Sequence, residues 1–280
     1  MDNQTKLSIN KLKDIPETLL FPLKARYLET KQKGGIINDP KSVEILDALD
    51  YDAYKTKQIN ISHIGACLRT IILDEQVKRF LQDHPDGVVV NIGCGLDTRF
   101  PRVDNGRVLW FDLDLPEVID LRQYFFQETD RFKFIPISVL DPSWVHLIPK
   151  GKCTLFIAEG LSFYFSEDEN RQMLGIIRDH FSEAECLMEI LHPWFIKMSA
   201  NRTYQDPIST RAATLLRWGV KSGRELETWF EGLKFIEEWF VVKKALYRFP
   251  LVIRILFTVV PVMAKMNKIV HLRFVGNRKT

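Results

Sequence analysis

The chain has 280 residues, which is enough for one large domain with a substantial core or for one domain with an appendage. Its 39 Lys and Arg residues against 36 Asp and Glu give a net charge of +3, too small to indicate nucleic-acid binding. With 46% hydrophobic and 27% charged residues, the composition is that of a soluble globular protein.

The four cysteines lie far apart and form no C-x-x-C pair: Cys67, Cys94, Cys153 and Cys186. Three of them sit in or beside apolar runs, where a free thiol behaves as a small buried hydrophobic group. The N-terminal residues contain no apolar signal core, and no histidine–cysteine–carboxylate spacing suggests a metal site. We therefore expect a cytoplasmic protein with reduced thiols and no metal.

Helical patterns occupy the N-terminal part of the chain. Residues 1–15 look poorly ordered, and a helical pattern then runs over 18–30. Asp39-Pro40 begins a short helix that reaches Leu49, because proline is favoured in the first turn. Apolar residues spaced three and four apart predict one or two amphipathic helices over 59–83. We divide the chain into an N-terminal helical segment (1–84) and an α/β domain (85–280).

Arg69 lies among the apolar residues of the last of these helical patterns. An arginine on a buried face needs an anionic partner. It either pairs with an acid of the core, the interpretation that the residues alone favour, or it faces the carboxylate of a ligand.

The sequence VVVNIGCGLDTRF, residues 88–100, predicts a buried strand followed by a glycine turn and the start of a helix. Gly93 and Gly95 let a ligand approach the backbone at this turn, although glycines also make tight connections without any ligand. Asp97 and Thr98 are suited to the N-terminus of the following helix, since their side-chain oxygens can accept bonds from unpaired amides.

A second apolar run, 108–111, ends in Asp112 and Asp114, about twenty residues after the glycines. Acids at the end of a strand are placed to bind ribose hydroxyls. A dinucleotide fingerprint would need a third glycine where this chain has Thr98, and no lysine follows to make a phosphate loop. The pattern favours a nucleoside ligand without phosphates.

Strands and helices then alternate along the chain, with further strands predicted over 131–138, 153–158, 185–191, 235–242 and 269–274. This alternation predicts an α/β fold with a doubly wound, seven-stranded, mostly parallel sheet. Helices at the N-terminus and a helical insertion over 195–232 would cover the site. Ligands of such sheets bind beyond the carboxyl ends of the strands, where Asp141 and Glu159 also lie.

Residues 249–263 form the most apolar segment, but Arg254 and Pro261 interrupt it and it is too short to span a bilayer. We interpret it as a buried helix with a proline bend. The lesser alternative is peripheral contact with a membrane, helped by Lys265, Lys268 and Arg273.

Four motifs in order, NIGCGLDTRF, WFDLDLPEVI, SVLDPSW and AEGLSFYF, resemble the leucine carboxyl methyltransferase family, and within it a bacterial branch of polyketide O-methyltransferases. The resemblance extends over residues 18–274. It implies an S-adenosylmethionine (SAM) dependent methyltransferase whose seventh strand is antiparallel. A small-molecule methyl acceptor is expected, rather than a nucleic acid.

The resemblance also implies roles for individual residues. Arg69 would hold the SAM carboxylate, reversing the interpretation given above, and Asp114, with Asp112 beside it, would bind the ribose. Gly93 and Gly95 would admit the methionine part. Leu140 and Asp141 would contact adenine, and Glu159 would face the amino group and the sulfonium. Arg26, or alternatively Lys24, would close over the cofactor.

Methyl transfer from SAM is a displacement that needs alignment and exclusion of water more than acid–base chemistry. A carboxylate acceptor needs no general base, whereas a phenol or alcohol would want one. Tyr164 is a candidate to orient the acceptor, and His192, just past the fifth strand, is the best placed histidine.

Two other functions remain open at this stage. One is a nucleotide-dependent oxidoreductase on a similar sheet, which the absent third glycine disfavours. The other is a non-catalytic binding module that has kept the fold.

Overall fold

A seven-stranded sheet forms the centre of the computed structural model, which describes residues 19–49, 61–200 and 214–276. The strands, numbered in chain order, are β1 (Val88–Ile92), β2 (Leu109–Asp114), β3 (Phe132–Pro136), β4 (Thr154–Ala158), β5 (Glu185–Leu191), β6 (Leu233–Phe240) and β7 (Asn267–Phe274). Their order across the sheet is β3-β2-β1-β4-β5-β7-β6. Strands β1 to β5 pair in parallel, and β7 runs antiparallel to both β5 and β6. The predicted sheet is therefore confirmed, including its antiparallel last strand.

The helices are α1 (Leu20–Lys31), α2 (Pro40–Ala48), α3 (Ile61–Asp83), α4 (Phe100–Val103), α5 (Pro116–Arg122), α6 (Glu167–His180), α7 (Pro193–Ala200), α8 (Leu251–Val259) and α9 (Pro261–Ala264). Short 3₁₀ segments cover Pro142–Leu147, Ser162–Tyr164, Gly223–Trp229 and Val241–Arg248. The helix start predicted at Asp39-Pro40 is confirmed, since Asp39 caps α2 by accepting from the Ser42 amide. Helix α6 begins with a capping box formed by Ser166 and Glu169.

The sheet has a hydrophobic core on each face because side chains alternate along a strand. In β1 every residue is buried: Val89 packs with the core under α1 and α3, whereas Val90 faces the opposite core, which includes Leu174 of α6. Burial on both faces explains why four of the five residues of this strand are apolar, with no alternation of apolar and polar positions.

Strand β1 lies between β2 and β4, so the chain leaves it in one direction across the sheet and later returns on its other side. In doubly wound sheets ligands bind at this reversal, beyond the carboxyl ends of the strands. The register places Asn91 of β1 beside Asp112 of β2 and Ile157 of β4, so the ends of the three strands come level with one another.

The helix after the glycine turn starts later than predicted. It begins at Phe100, with Arg99 at the capping position and no side-chain cap. Asp97 instead accepts from Asn91 and Arg99 close by in sequence, and Thr98 donates to Asp39 of the N-terminal helical part. Helix α5 ends at Arg122, whose side chain donates to the Gly95 carbonyl of the glycine turn.

The interpretation of residues 249–263 as a buried helix is wrong about its burial. The segment does form α8 and α9, separated at Val260 with Pro261 beginning α9, but only Phe257 of α8 is buried. Cys153 is exposed, contrary to the expectation for its apolar surroundings, whereas the other three cysteines are buried and all four are free thiols. Within the described ranges, no helix is long and apolar enough to cross a bilayer.

The proposed division of the chain at residue 84 and the helical insertion over 195–232 stay predictions. Residues 1–18, and 201–213 of the insertion, lie outside the described residues. The described parts of the insertion begin with the end of α7 and include the 3₁₀ segment Gly223–Trp229.

Candidate active site

A cavity of about 470 Å³ lies beyond the carboxyl ends of the central strands. The charged side chains in its wall come from β2 and β5, from the segments after β1 and β4, and from α1 and α3. Apolar side chains come from the loop after β4, from α7, α8 and α9, and also from α1, α3 and α5. Of the residues predicted for the site, seven line it: Arg26, Arg69, Gly93, Gly95, Asp114, Glu159 and Tyr164.

The glycine turn forms the floor of the cavity. Gly93 and Gly95 both have positive φ angles, +62° and +47°, a backbone conformation that residues with a side chain rarely adopt. A Cβ atom on Gly93 would lie 3.1 Å from the Leu161 side chain, and one on Gly95 would lie 2.8 Å from that of Leu19. The backbone conformation therefore favours glycine at both positions, and an added side chain would also have to displace Leu161 or Leu19.

Asp114 closes this turn from the end of β2. Its Oδ2 accepts a hydrogen bond from the Gly95 amide at 2.8 Å, and its Oδ1 accepts from the Leu115 amide at 2.8 Å. Burial raises the pKa of Asp114, although the two amide donors work in the opposite direction. Each carboxylate oxygen has a second lone pair, so the group can still accept bonds from hydroxyl groups in the cavity.

Glu159 and Arg69 place opposite charges side by side in the cavity wall. Arg69 Nε donates to Glu159 Oε1 at 2.8 Å, and Arg99 donates to the other oxygen of Glu159. Burial by itself would raise the pKa of Glu159, but Arg99 and Arg69 more than offset this and hold the pKa below its ordinary value. Glu159 is therefore ionised at neutral pH.

Arg69 is held from a second side by Glu189 of β5. Arg69 Nη1 donates to Glu189 Oε2 at 2.9 Å and to Oε1 at 3.1 Å. Glu189 is fully buried and also accepts from the Gly160 amide at 2.8 Å and from Asn267 Nδ2 at 2.7 Å. Glu189 is thus the acid of the core that the sequence analysis considered as a partner for Arg69. Arg69 nevertheless also lines the cavity, as a residue that contacts a ligand would.

Arg26 reaches the cavity from α1. Its Nε donates to Asp39 at 2.8 Å and its Nη2 donates to the Leu96 carbonyl at 3.2 Å, which joins the N-terminal helices to the glycine turn. Lys24, the alternative in this region, is buried and is not among the described residues that line the cavity.

Four predicted site residues lie outside the lining of this cavity. Asp112 is fully buried and faces inward, where Arg122 and the Trp110 indole donate to it. Asp141 is exposed and caps the segment Pro142–Leu147 by accepting from the Ser143 amide at 2.9 Å. Leu140 precedes it and packs against the core on the α6 face of the sheet.

His192 is the fourth residue outside the cavity. Its Nδ1 accepts from the Trp194 amide at 3.1 Å at the start of α7. Burial, followed by the charges of Lys268 and Lys221, lowers its pKa.

Tyr164 lines the cavity in the 3₁₀ turn after β4. Burial raises the pKa of its phenol to about 12. The group therefore keeps its proton at neutral pH and can donate a hydrogen bond, but it does not act as a base.

Five charged residues that the sequence analysis did not assign to the site form its supporting network: Asp74, Asp97, Arg99, Arg102 and Glu189. Asp97, which lines the cavity, accepts from Arg99 at 2.5 Å, and Arg99 also donates to Asp74 at 2.8 Å. Burial opposes ionisation of Asp97, but Arg99 and Arg102 hold its pKa at about 2. Glu189 belongs to the same network. The sequence feature that could have identified it is a single acid in the middle of an apolar strand.

Comparison with known proteins gives consistent matches. The leucine carboxyl methyltransferase family model matches residues 22–178. TcmP of Streptomyces glaucescens, a tetracenomycin polyketide synthesis O-methyltransferase, is 33% identical over 230 residues, which are 82% of this chain and 84% of TcmP. An S-adenosyl-L-methionine-dependent methyltransferase of Gibberella zeae, dpfgK, is 27% identical over 81% of this chain and 82% of its own.

Among solved structures, a protein of Thermobifida fusca YX proposed to be a methyltransferase has the same fold. It is 17% identical and superposes with a TM-score of 0.57, covering 94% of this chain and 97% of that chain.

Proposed function

This chain belongs to the leucine carboxyl methyltransferase family and is a SAM-dependent methyltransferase, and on that premise we propose that it methylates a carboxylate or hydroxyl oxygen of an apolar small molecule. The observation that carries the proposal is the division of one cavity into a charged part at the strand ends and an apolar part beside it. The relative TcmP, an O-methyltransferase of polyketide synthesis, supports the same acceptor class.

The charged part fits SAM in its donor and acceptor groups. Arg69 and Glu159 are an opposite-charge pair, which suits the carboxylate and the ammonium group of an amino acid. Asp97 Oδ1 is buried without a hydrogen-bond partner among the described residues and lines the same space. A Cβ on Gly93 would narrow this space, so the glycine keeps it open.

We assign the parts of SAM to these groups as follows. Arg69 would bind the carboxylate, Glu159 the ammonium group, Gly93 and Gly95 would contact the methionine chain, and Asp114 would accept from the ribose hydroxyls. Bound there, SAM supplies an electrophilic methyl group on a positively charged sulfur. The roles of Asp112, Leu140 and Asp141 stay predictions of the family resemblance, and Arg26 is a second cation at the carboxylate end.

The apolar part defines the class of acceptor. Its lining consists of aromatic, aliphatic and thioether side chains, among them Phe163, Phe195, Leu216, Phe257, Met263 and Met266. Such a surface binds an aromatic or aliphatic body by excluding water from it. A hydrophilic metabolite would leave its polar groups unpaired against these side chains.

The titratable side chains of the cavity favour an acceptor that ionises without the help of a general base. None of the described residues that line it is a histidine or a lysine. Of its acids, Glu159 and Glu189 are engaged by Arg69, Asp97 by Arg99, and Asp114 by two backbone amides. Tyr164 keeps its proton and can donate a hydrogen bond to the oxygen of the acceptor. A carboxylate or an acidic phenol needs no stronger base.

The protein's contribution is then alignment and removal of water. Holding two reactants in line can lower the barrier by roughly 7–11 kcal/mol. The apolar wall also keeps water from the reacting oxygen, which strengthens the contacts made by Tyr164 and Glu159 in this space.

The test is a transfer assay with SAM carrying an isotopically labelled methyl group, over a panel of aromatic and aliphatic carboxylic acids and phenols. Mass spectrometry identifies labelled products, and mild alkali then separates methyl esters, which are hydrolysed, from aryl methyl ethers, which are not. We expect label in at least one apolar acid or phenol. Products labelled on carbon alone, with none on oxygen, would contradict the proposal.

A further inference from the structure

Helix α8 presents a continuous apolar surface to solvent. Leu251, Val252, Ile255 and Val259 are 66%, 74%, 54% and 71% exposed. Their spacing of three and four residues places them on one side of the helix, opposite the buried Phe257. This outer side, which we name the α8 face, is apolar where an ordinary surface helix is polar.

The charge of the surrounding sequence has one sign. Residues 239–280 contain nine Lys and Arg and no Asp or Glu. The remaining 238 residues hold 30 basic and 36 acidic side chains, a net charge of −6, so the overall charge of +3 hides a strongly asymmetric distribution.

Three cations of this region point into solvent without a carboxylate partner among the described residues: Lys243, Arg254 and Lys265. Arg254 lies on α8 itself and Lys265 directly follows α9. The other local cations differ, since Lys244 and Arg248 are paired with Glu75 and Glu29.

We propose that the α8 face with these three cations binds the surface of an anionic lipid bilayer, with α8 lying in the plane of the interface. A short helix with an apolar outer side and basic residues at its edge is the pattern of interfacial binding, and each Lys or Arg near an anionic surface adds to the attraction. Helix α8 has nine residues, which suits lying on a bilayer and not spanning it.

A second copy of this chain fits the α8 face less well. A two-fold dimer would place the same surface of each protomer against the other and bring Arg254 and Lys265 of both copies together, and residues 239–280 contain no acid that would compensate. A nucleic acid would use the cations but would gain nothing from four exposed aliphatic side chains.

The same helices contribute to the wall of the cavity. Phe257 from the inner side of α8 and Met263 from α9 line it. Interfacial binding would thus hold the apolar part of the cavity beside the phase in which an apolar acceptor accumulates. This last point rests on the proposed function, whereas the binding of the α8 face to lipid does not.

The experiment is flotation of the full chain with vesicles of phosphatidylcholine alone and of equal parts phosphatidylcholine and phosphatidylglycerol. We expect flotation with the anionic vesicles, weakened by salt, because the attraction is partly electrostatic. The variant V252S/I255S should reduce the partition coefficient at least ~10-fold, and R254E by about 10-fold. Matched controls are L147S, an exposed leucine elsewhere, and K234E, an exposed lysine on β6.

Three outcomes would overturn the proposal: no flotation with anionic vesicles, equal flotation of V252S/I255S and the parent chain, or conversion of a dimer into a monomer by V252S/I255S in sedimentation. If the chain binds double-stranded DNA but does not float with vesicles, and V252S/I255S binds DNA equally well, the cations would be assigned to nucleic-acid binding instead. Binding of S-adenosylhomocysteine (SAH), measured on each variant, shows that the fold is intact. Because no methyl transfer is scored, failure here is distinguishable from failure of the proposed function.

Discussion

Arg69 of α3 and Glu159 at the end of β4 are ninety residues apart in sequence, yet their side chains form an ion pair with 2.8 Å between Nε and Oε1. The pair joins the N-terminal helices to the sheet at the point where the cavity begins. Glu189 fixes Arg69 from the other side, so the guanidinium is held in place before any ligand arrives. Such preorganisation reduces the cost of ordering the side chain on binding.

We predict that Arg69→Met destabilises the fold as well as cofactor binding. The change leaves the carboxylate of Glu189, which has no exposed side-chain surface, without its cation. Breaking a buried pair in this way costs about 3–5 kcal/mol. Urea unfolding followed by circular dichroism measures the loss, and a variant as stable as the parent chain would contradict the arrangement.

The matched control is the double variant R69M/E189Q. Glutamine has the size of glutamate without its charge, so the double variant should recover a large part of the lost stability. Its affinity for SAH, measured by calorimetry, should stay as weak as that of R69M. Recovery of SAH binding together with stability would show that Arg69 acts only as a structural partner.

The sequence predicted the strands and their ends because each strand is a short apolar run that stops at a polar residue. It could not distinguish Asp112 from Asp114, which lie two residues apart at the end of β2. Asp112 is turned inward by the tertiary contacts of Arg122, and Asp114 by contrast closes the glycine turn. Which acid faces the cavity depends on a side chain of another element, and the local pattern carries no information about it.

The exposure of α8 escaped the sequence analysis for a related reason. An apolar helix is expected to be buried, because hydropathy measures the preference of its side chains for leaving water. Hydropathy does not say which element covers each side of the helix. Phe257 is covered by the protein, whereas Val252 and Val259 are not.

Asp114→Asn should weaken SAH binding roughly 10-fold to 100-fold at neutral pH, the value of one or two hydrogen bonds to a charged acceptor. The parent chain should also lose affinity as the pH falls, because burial raises the pKa of Asp114 and hydroxyl donors require its ionised form. The pKa of Glu159 is lowered, so the loss at mildly acidic pH belongs to Asp114. The variant should lack this acidic loss.

Calorimetric titration with SAH from neutral to mildly acidic pH measures both effects. Asp120→Asn is the control, since Asp120 is an exposed acid on α5 next to the strand end. A pH profile of D114N with the same acidic fall as the parent chain would assign that titration to another group.

Gly93→Val should fold but lose SAH affinity by more than ~10-fold, because its side chain would enter the space beside Leu161. The backbone strain of a positive φ is a separate effect, on the order of 1–2 kcal/mol. Gly106→Val isolates it, since Gly106 has φ +79° and no atom within 4 Å of an added Cβ. If both variants lose a similar amount of stability and only G93V loses SAH affinity, the placement of the ligand beside Gly93 is supported. Unchanged SAH affinity in folded G93V would refute that placement.

Tyr164→Phe tests whether this residue orients the acceptor. The phenol, whose pKa is raised to about 12, donates a hydrogen bond and removes no proton, so the variant should lose about 10-fold in kcat/KM without a change in the pH profile. SAH affinity should be unaffected, because the effect concerns the acceptor. His192→Ala is the comparison, since His192 lies outside the cavity and its loss should change kcat/KM little. If H192A instead removed a pH-dependent step and Y164F did not alter the rate, the histidine would be the base and the acceptor would be a weakly acidic hydroxyl.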